Sequence, residues 1–485
     1  MVASQRLKWY ALILLCMTQF VVVLDIAVVN VALPSIQKDL GFSQENLQWV
    51  ISAYALVFGG FMLLGGRLAD IMGRKRVFMA GLVIFSVGSL LCGLAWNEVS
   101  LIGARALQGL GAATITPSAL SILTRSFTEG RERNIALGAW GAVGGFGAAF
   151  GVLMGGVLTD LLSWEWIFFV NVPVGIAALA ASPFLLRESK DAEGQSHDIP
   201  GAVLVTSGLV VLVLGITQGH GWGWTSSKTI MAFVASAVLL GAFALWEQRE
   251  RQPLVPFSIF RLQTLTAANV AGFIMGTALF SMFLILTLYM QEVLGYSPLK
   301  TGVGYLAVAG TAIIWANVAA AAVNRIGVKP VLIVGMSLLT AGLLFFTQVS
   351  VNGSYWADLF PGFLILGVAI PFAFVPITIA ALAGTKPEEA GLASGLINTS
   401  QQIGGAVGIA ILSTIAVTTS DNAIADGTKV PTALTDGFVN AFWAGAAIAF
   451  VGLLVSIFMV RSRDLKPQEA RDEVVVGKPA LEEAA

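Results

Sequence analysis

The chain has 485 residues, of which 56% are hydrophobic and only 11% are charged, and its formal net charge at pH 7 is −1. A soluble domain carries about 25% charged residues, so this composition excludes a water-soluble globular protein. A net charge near zero gives no bulk attraction to nucleic acid, and we expect no nucleic-acid partner. The mean hydropathy of +0.83 instead predicts an integral membrane protein in contact with the lipid bilayer.

Long apolar runs follow one another along the chain. About 20 helical residues cross the hydrocarbon core, and a helix satisfies its own backbone hydrogen bonds there, so we predict an all-α membrane fold with about 14 transmembrane helices. The strands of a membrane barrel would be shorter and would alternate with polar residues. In chain order, the predicted spans are Trp9–Leu33, Trp49–Gly66, Val77–Trp96, Leu101–Leu123, Ile135–Leu158, Trp166–Leu186, Ile199–Thr217, Ile230–Trp246, Leu265–Met290, Gly302–Val323, Val331–Val349, Leu359–Leu382, Gly391–Val417 and Phe438–Val460.

Basic residues lie in every other loop between these spans. Cytoplasmic loops carry the excess of Lys and Arg, so the pattern predicts a multi-pass protein of the cell (plasma or inner) membrane with both termini cytoplasmic. The basic loops hold Arg6 and Lys8; Arg74, Lys75 and Arg76; Arg125, Arg131 and Arg133; Arg187 and Lys190; Arg249, Arg251 and Arg261; Arg325 and Lys329; Lys386; and Arg461, Arg463 and Lys466. The opposite loops hold only Lys38, Lys228, Lys300 and Lys429.

Two parts of the chain repeat one pattern. The tetrapeptide LGFS around Gly41 resembles LGYS around Gly295, which lies 254 residues later, and Gly73 matches Gly327 at the same separation. Parallel repeats of this kind mark secondary transporters whose substrate site lies between the two halves. We predict an N-terminal six-helix half over 1–190, two inserted linking transmembrane helices over 191–250, a C-terminal six-helix half over 251–463 and a disordered cytoplasmic tail over 464–485.

A charged hairpin, GGRLADIMGRKRVF, joins the second and third predicted spans. Asp70 lies there at the end of a helix, where a negative charge opposes the helix dipole. It needs a compensating partner, such as Arg74, a basic residue of another helix or a helix N-terminus. The simpler interpretation is that the charges of the hairpin only orient the chain in the membrane.

Two charges lie inside the predicted spans, where charge is costly and therefore marks a functional candidate. Asp25 precedes Pro34 by about nine residues, roughly 13 Å along a helix, and Arg105 is near the start of its span. We expect the two to meet directly or through water. Gln108 follows Arg105 by one helical turn and shares its face. The alternative is a static ion pair that holds the first and fourth spans together.

Further polar and aromatic residues occur inside the spans. Asn30, Asn398 and Gln401 are candidates for a polar cavity, although packing hydrogen bonds between helices are the simpler interpretation. Tyr54 and Trp315 are candidates for the same cavity, and lipid-facing or core positions are the alternative.

The fifth predicted span carries a stripe of glycines. Gly147, Gly151 and Gly155 are spaced by four and lie on one helix face, and Gly156 follows directly. Such a stripe lets a neighbouring helix approach closely. Two interpretations require the same residues. The stripe either serves simple helix packing or forms a surface on which the two halves rock against each other.

These motifs resemble those of one family. The hairpin resembles the loop signature G-x-L-a-D-r-x-G-r-k of the major facilitator superfamily. LDIAVVNVALPSI with Asp25, and LIGARALQGLGAATITPSAL with Arg105, resemble the first-helix and fourth-helix motifs of its fourteen-span drug:proton antiporters. GAWGAVGGFGAAFGVLMGGVLTD resembles their fifth-helix antiporter motif, and WIFFVNVPVG fits the same subgroup. The hairpin positions that match the signature are Gly66, Asp70, Gly73, Arg74 and Lys75.

The chain departs from the family pattern at several positions. Val152 occupies the place of the usual antiporter-motif proline, and Glu165 and Gln401 stand where basic residues are common. We identify no clear acidic residue within the helices of the second half, where many members carry one.

The resemblance implies the major facilitator fold, with two six-helix bundles plus two inserted helices, and a proton-coupled multidrug efflux transporter. Such a protein exports drugs or other small, cationic or lipophilic compounds by antiport with protons. It needs no cofactor, because the proton gradient drives it, and it is expected to work as a monomer. Proton uptake at Asp25 from outside and binding of a cationic substrate from inside would exclude each other, with Arg105, Gln108 and Asn30 nearby. The hairpin would act as a conformational latch.

Other classes fit the sequence less well. No G-x-x-x-x-G-K-[ST] motif of a primary pump occurs, and no serine-hydrolase motif lies in a suitable setting, so we predict no enzyme. His197 and His220 fall on opposite predicted sides of the membrane, so no metal site is predicted. The alternative functions are a dedicated exporter of one metabolite, siderophore or antibiotic and, after that, a proton symporter or a channel.

Overall fold

The structure is a computed structural model that describes residues 2–127, 131–189, 198–383 and 390–460. The tail predicted over 464–485 lies outside these residues. The helices are α1 (Val2–Leu40), α2 (Gln44–Leu47), α3 (Trp49–Met72), α4 (Arg74–Gly93), α5 (Glu98–Ser126), α6 (Arg131–Leu161), α7 (Trp166–Phe169), α8 (Asn171–Leu185), α9 (Ile199–Trp222), α10 (Ser227–Arg249), α11 (Gln263–Leu288), α12 (Pro298–Ile326), α13 (Val328–Phe346), α14 (Phe360–Leu382), α15 (Ala390–Ala425) and α16 (Val430–Phe458). A 3-10 turn covers Phe257–Arg261, and π-helical turns cover Tyr289–Val293 and Tyr355–Leu359.

The predicted all-helical membrane fold is confirmed, and every predicted span coincides with a described helix or helix pair. Thirteen described helical stretches are long and apolar enough to cross a membrane. Helix α6, which has 31 residues, occupies the remaining predicted span. Although α4 and α13 each end before the predicted span does, most helices exceed the predicted spans because they extend beyond the apolar runs. For example, α1 continues through Pro34 to Leu40, although a proline removes one helix hydrogen bond.

The turns between helices repeat at the separation found in the sequence. We call the end of the bundle with the α3–α4 hairpin the terminal end, and the opposite end the distal end. Gly41 and Gly295, at the distal end, have φ of 71° and 65°; Gly73 and Gly327, at the terminal end, have φ of 110° and 89°. Glycine enters this region at little steric cost, which explains its place at each sharp turn. The four-part division of the chain stays a prediction.

Small residues let the helices cross backbone to backbone. A Cβ atom added at Gly65 in α3 would lie 2.2 Å from the carbonyl oxygen of Ala113 in α5, and one at Gly276 in α11 would lie 2.1 Å from that of Gln401 in α15. In lipid, where apolar side chains gain little by leaving the solvent, such close packing is what holds helices together.

Of the two inserted helices, α9 packs at the seam between the other helices. Leu209 and Val213 of α9 share an apolar cluster with Leu56 of α3 and Ala406 of α15. Helix α10 covers α9 from outside, and much of its own surface is exposed in the manner of a lipid-facing helix. Its exposed apolar side chains include Ile230, Met231, Val234 and Val238.

The distal ends of the first and last six helices are joined. The amide Nε2 of Gln291 donates a hydrogen bond to the Val31 carbonyl of α1 over 2.8 Å. Nearby, a Cβ atom added at Gly156 of α6 would lie 2.6 Å from the carbonyl oxygen of Pro298 in α12. The distal face is therefore closed by direct contact between α1, α6, α11 and α12.

Candidate functional site

Asp25 and Arg105 form a buried ion pair between α1 and α5. Asp25 is 0% exposed and Arg105 is 1% exposed, and Arg105 Nη1 lies 2.5 Å from Asp25 Oδ2. Gln108 completes a triangle with them, because its Nε2 donates to Asp25 Oδ1 over 2.7 Å and its Oε1 accepts from Arg105 Nη1 over 2.6 Å. The helical spacing that places Gln108 one turn after Arg105 thus lets both side chains reach the same carboxylate.

Two residues that the sequence analysis did not select complete this network. Asn171, which is 1% exposed at the start of α8, donates from Nδ2 to Asp25 Oδ1 over 2.8 Å. Ser89 of α4 accepts a hydrogen bond from Gln108 Nε2 over 2.7 Å. Asn171 carries the only side-chain amide of WIFFVNVPVG, and this isolated polar group in an apolar stretch was the available signal.

The guanidinium of Arg105 is held from its other sides by α3 and α7. Its Nε donates to the Val50 carbonyl over 2.9 Å, and its Cζ lies 4.4 Å from the ring centroid of Tyr54 and 5.7 Å from that of Phe168. Aromatic faces attract cations, and the attraction strengthens when water is excluded. Tyr54 is therefore a wall of the charged site.

The network holds a pair of opposite charges that is buried away from solvent. Three side chains donate hydrogen bonds to the Asp25 carboxylate, which compensates the desolvation of a charge that would be very costly if unpaired. A proton or a cation that reached Asp25 would replace the interaction with Arg105. The geometry therefore makes the guanidinium and any such cation competitors for one carboxylate.

The other predicted cavity residues lie away from this network. Asn30 donates from Nδ2 to the Ile26 carbonyl of its own helix over 3.1 Å, and Asn398 does the same to Ser394 over 2.9 Å. The ring of Trp315 is 38% exposed and lies 6.0 Å from the ring of Phe372. The structure does not bring these side chains to Asp25, although Asn30 lies on the same helix.

The hairpin between α3 and α4 is built around Arg74. This side chain is 2% exposed, and it forms an ion pair with Asp70, four residues earlier, and donates from Nε to Ser121 Oγ of α5 over 2.6 Å. The sequence analysis considered three kinds of partner that could compensate Asp70, and the structure shows the first of them, Arg74. Gly66, the first residue of the signature, lies against α5, where an added Cβ would meet Pro117 at 3.4 Å.

Glu188 caps the same hairpin from the segment after α8. Its carboxylate accepts hydrogen bonds from the backbone amides of Lys75 over 3.1 Å and Arg76 over 3.2 Å, at the N-terminus of α4. A carboxylate is stabilised there by the helix dipole and by amides that lack a partner within the helix. Gly73 leaves room for it, because an added Cβ would lie 2.7 Å from the Glu188 carboxyl carbon. Lys75 itself donates from Nζ to the Pro183 carbonyl over 3.1 Å.

A second contact joins the hairpin to the segment between α10 and α11. Arg67 donates to the main-chain carbonyls of Gln252 and Pro253, the latter over 3.0 Å. This segment is fixed in turn by two buried carboxyl groups: Asp198 accepts from the Leu254 amide over 3.3 Å, and Glu247 from the Val255 amide over 3.1 Å. Arg67 thus ties α3 to the inserted helices and to the start of α11.

Comparison with known families decides the identity of the fold. The model of the Major Facilitator Superfamily matches residues 15–409 of the chain. The chain belongs to the Major Facilitator Superfamily. Both networks described above, around Asp25 and around Arg74, lie on motifs by which the sequence resembles that superfamily, and membership implies a membrane transporter rather than an enzyme.

Relatives within the superfamily include resistance and export proteins. The chain is 37% identical over 469 residues to "Puromycin resistance protein pur8" of Streptomyces alboniger, covering 96% of this chain and 93% of that one. It is 38% identical over 409 residues to "Cephamycin export protein CmcT" of Amycolatopsis lactamdurans, covering 84% of each chain. Among solved structures, a peptide transporter POT in complex with sulfate matches with a TM-score of 0.68 at 16% identity, covering 94% of this chain and 96% of that chain. The likeness to the peptide transporter concerns the fold alone.

The glycine stripe of this superfamily member packs mainly within one half. Added Cβ atoms at Gly147, Gly151 and Gly155 would meet α1 at Val23, Ala27 and Val28, at distances of 3.3, 2.8 and 2.6 Å. Gly156, on the neighbouring face, is the one of the four that contacts α12, at Pro298. The structure therefore separates two roles that share one sequence motif: three glycines fix α6 on α1, and Gly156 serves the contact between the first and last six helices.

The residue that departs from the antiporter motif also lies in the contact between α6 and α12. Val152 takes the place of the usual proline, and its carbonyl oxygen lies 2.8 Å from the position that a Cβ at Gly302 of α12 would occupy. Helix α6 continues through Val152 from Arg131 to Leu161. A residue with an amide hydrogen at 152 keeps the helix hydrogen bond that a proline would remove.

Proposed function

We propose that this transporter exports small antibiotic-like compounds in exchange for protons, with Asp25 as the group that carries the proton. The single observation that carries the proposal is the Asp25–Arg105–Gln108 network, a charged site fully buried among membrane-spanning helices. Such sites are costly and are kept where a transport cycle uses them.

Two further observations support export. Relatives are named for resistance to puromycin and lincomycin and for export of cephamycin and tetracenomycin C. In addition, the alternation of basic loops predicts that the terminal end faces the cytoplasm. Asp25 would then receive a proton from the distal, external side, and the released guanidinium and the incoming cargo would compete for the carboxylate on the internal side.

The transport cycle follows from one carboxylate with two incompatible occupants. Proton binding neutralises Asp25, weakens its attraction for Arg105 and lowers its affinity for a cationic cargo. Loss of the proton restores both attractions. Exchange of one proton for one singly charged cargo cation moves no net charge, so the pH difference across the membrane, and not the membrane potential, drives cargo outward.

The experiment is transport of labelled puromycin by the full chain in lipid vesicles with an imposed pH difference. We expect flux of the wild-type protein to follow the proton gradient and the Asp25→Asn variant to lose that dependence. The matched control is Asn30→Ala, which removes a polar side chain five residues away that bonds only its own helix. Gradient-driven puromycin flux that survives Asp25→Asn unchanged would refute the assignment of Asp25.

A narrow substrate range is the second candidate, because the relatives are named for chemically different single compounds as well as for multidrug resistance. A drug-susceptibility panel in an efflux-deficient host, comparing the wild type with Asp25→Asn, separates the two. Protection against one compound alone identifies a dedicated exporter, and protection against several identifies a multidrug one.

A further inference from the structure

A narrow cavity lies at the distal end between helices of the first and last six. Its wall from the N-terminal side includes Gln37 of α1, Gln44 of α2 and Gln48, which immediately precedes α3. The opposite wall includes Glu292, Ser413 and Ser420, together with apolar side chains. The cavity therefore exists only while the two sides are in contact, and separation of the distal ends would open it to water.

Glu292 is an acid of the second half that the sequence analysis missed, because the predicted span ended at Met290. It lies in the π-helical turn Tyr289–Val293 that ends α11. Such turns insert one residue into a helix and are frequent at functional sites. The adjacent Gln291 makes the hydrogen bond to Val31 that joins the two sides. The turn thus places an acid directly beside a closing contact.

The half-buried carboxyl group of Glu292 has no hydrogen bond or ion pair to any part of the chain that the structure describes. The cavity also holds an unsatisfied acceptor, since Gln48 is 2% exposed and its Oε1 is buried without a partner. An ionised carboxylate withdrawn from water without a partner is strongly unfavourable. A neutral carboxylic acid avoids this penalty and adds a hydrogen-bond donor to the cavity that holds this unsatisfied acceptor.

Among the described residues that line this cavity, none carries a positive charge that would compensate an ionised Glu292. The described residues that line it from α1, α2, α15 and α16 are uncharged. An adjoining cavity, which shares Gln48 with the first, is lined by Glu45 and His220. His220 Nε2 lies 3.3 Å from Asp421 Oδ2, so that imidazole already faces a carboxylate.

The geometry points to Glu292 as a second proton-binding group of the transporter, neutral while the distal ends are joined and ionised when they separate. The inference rests on the proposed transport function, which requires the distal ends to separate so that cargo can leave, but it does not require that Asp25 carries the coupled proton. Because closure removes much of the water around the carboxyl group, a higher external pH favours the open distal face and a lower pH favours the closed one.

The test measures proton occupancy and distal opening in the full-length protein in lipid. In infrared difference spectra between low and high pH, we expect a carbonyl band of a neutral carboxylic acid that Glu292→Gln removes. In parallel, hydrogen–deuterium exchange over 33–48 and 284–302, corrected for intrinsic rates, should rise with pH in the wild type. Exchange in Glu292→Gln should stay low at both pH values, because an amide has no proton to lose.

Three control variants make the outcome specific. Glu45→Gln removes an acid of the neighbouring cavity and should keep both the band and the pH step in exchange. Glu292→Asp keeps a titratable group and should retain a step, which separates loss of the proton from misfolding. Asp25→Asn should retain the step even where transport is lost, so a failure of the proposed antiport is distinguishable. A wild-type pH step and carboxyl band in Glu292→Gln would overturn the inference.

Discussion

The first and last six helices share their turns but not their charges. Gly41 and Gly73 have positive φ, as do Gly295 and Gly327, 254 residues later. At the same separation, however, Asp25 corresponds to Leu279 and Arg105 to Leu359, so the buried ion pair of the first half is matched by two leucines. Backbone geometry and polar chemistry are therefore specified independently in this fold.

The difference bears on the role that we propose for the ion pair. The second half folds with leucines at both positions, and Leu359 is fully buried there, so the architecture does not need the charges. Replacement of a buried ion pair by apolar residues is often neutral or stabilising, whereas removal of one partner is strongly destabilising. A pair retained in only one half is more readily explained by transport than by stability.

The largest expected effect comes from making the first half resemble the second. Arg105→Leu alone should lower stability by about 3–5 kcal/mol, because it leaves Asp25 buried without its cation. The double variant Asp25→Leu with Arg105→Leu should regain most of the lost stability. Neither the single nor the double variant should show puromycin flux that is driven by a proton gradient. Thermal unfolding in lipid and vesicle flux measure the two properties separately. A double variant no more stable than Arg105→Leu would contradict the comparison.

An intermediate effect should distinguish the matched turns. Gly73→Ala and Gly327→Ala both force a side chain into a positive-φ conformation, which is worth about 1–3 kcal/mol of strain. Only at Gly73 would the new Cβ also meet Glu188, at 2.7 Å, whereas nothing lies within 4 Å at Gly327. Displacing the cap on α4 should add about 1 kcal/mol of destabilisation. Unfolding midpoints of the two variants test this, and equal shifts would show that Glu188 does not stabilise the hairpin.

The smallest effect is expected at Asn30. Its side chain bonds only to the Ile26 carbonyl, so Asn30→Ala should change stability by about 1 kcal/mol or less and leave gradient-driven flux near the wild-type rate. Flux and unfolding measured beside Asp25→Asn provide the comparison. A loss of flux as complete as that of Asp25→Asn would place Asn30 in the transport site after all.

Much of the fold could be predicted from the sequence because lipid imposes simple rules. Apolar length located the spans, alternating basic loops predicted the orientation, and isolated charges selected Asp25 and Arg105. The helix period further selected Gln108. Asn171 and Glu188 could not be selected in this way, because their roles depend on which helix ends meet in space. The same holds for Arg67, whose acceptors are main-chain carbonyls that carry no residue signature.

The sequence by itself determined the class of protein. Hydrophobic residues make up 56% of the chain and lie in runs as long as a membrane-spanning helix, and a lipid bilayer is the solvent that suits such runs. It also determined the turns, because only glycine adopts the required φ without strain. Only the tertiary structure decided that Gly156 contacts α12 while Gly151 contacts α1, and that Glu292 lies in a cavity between the two sides. The sequence of a helix interleaves the residues of all its faces, and the packing of the neighbouring helices decides what each face contacts.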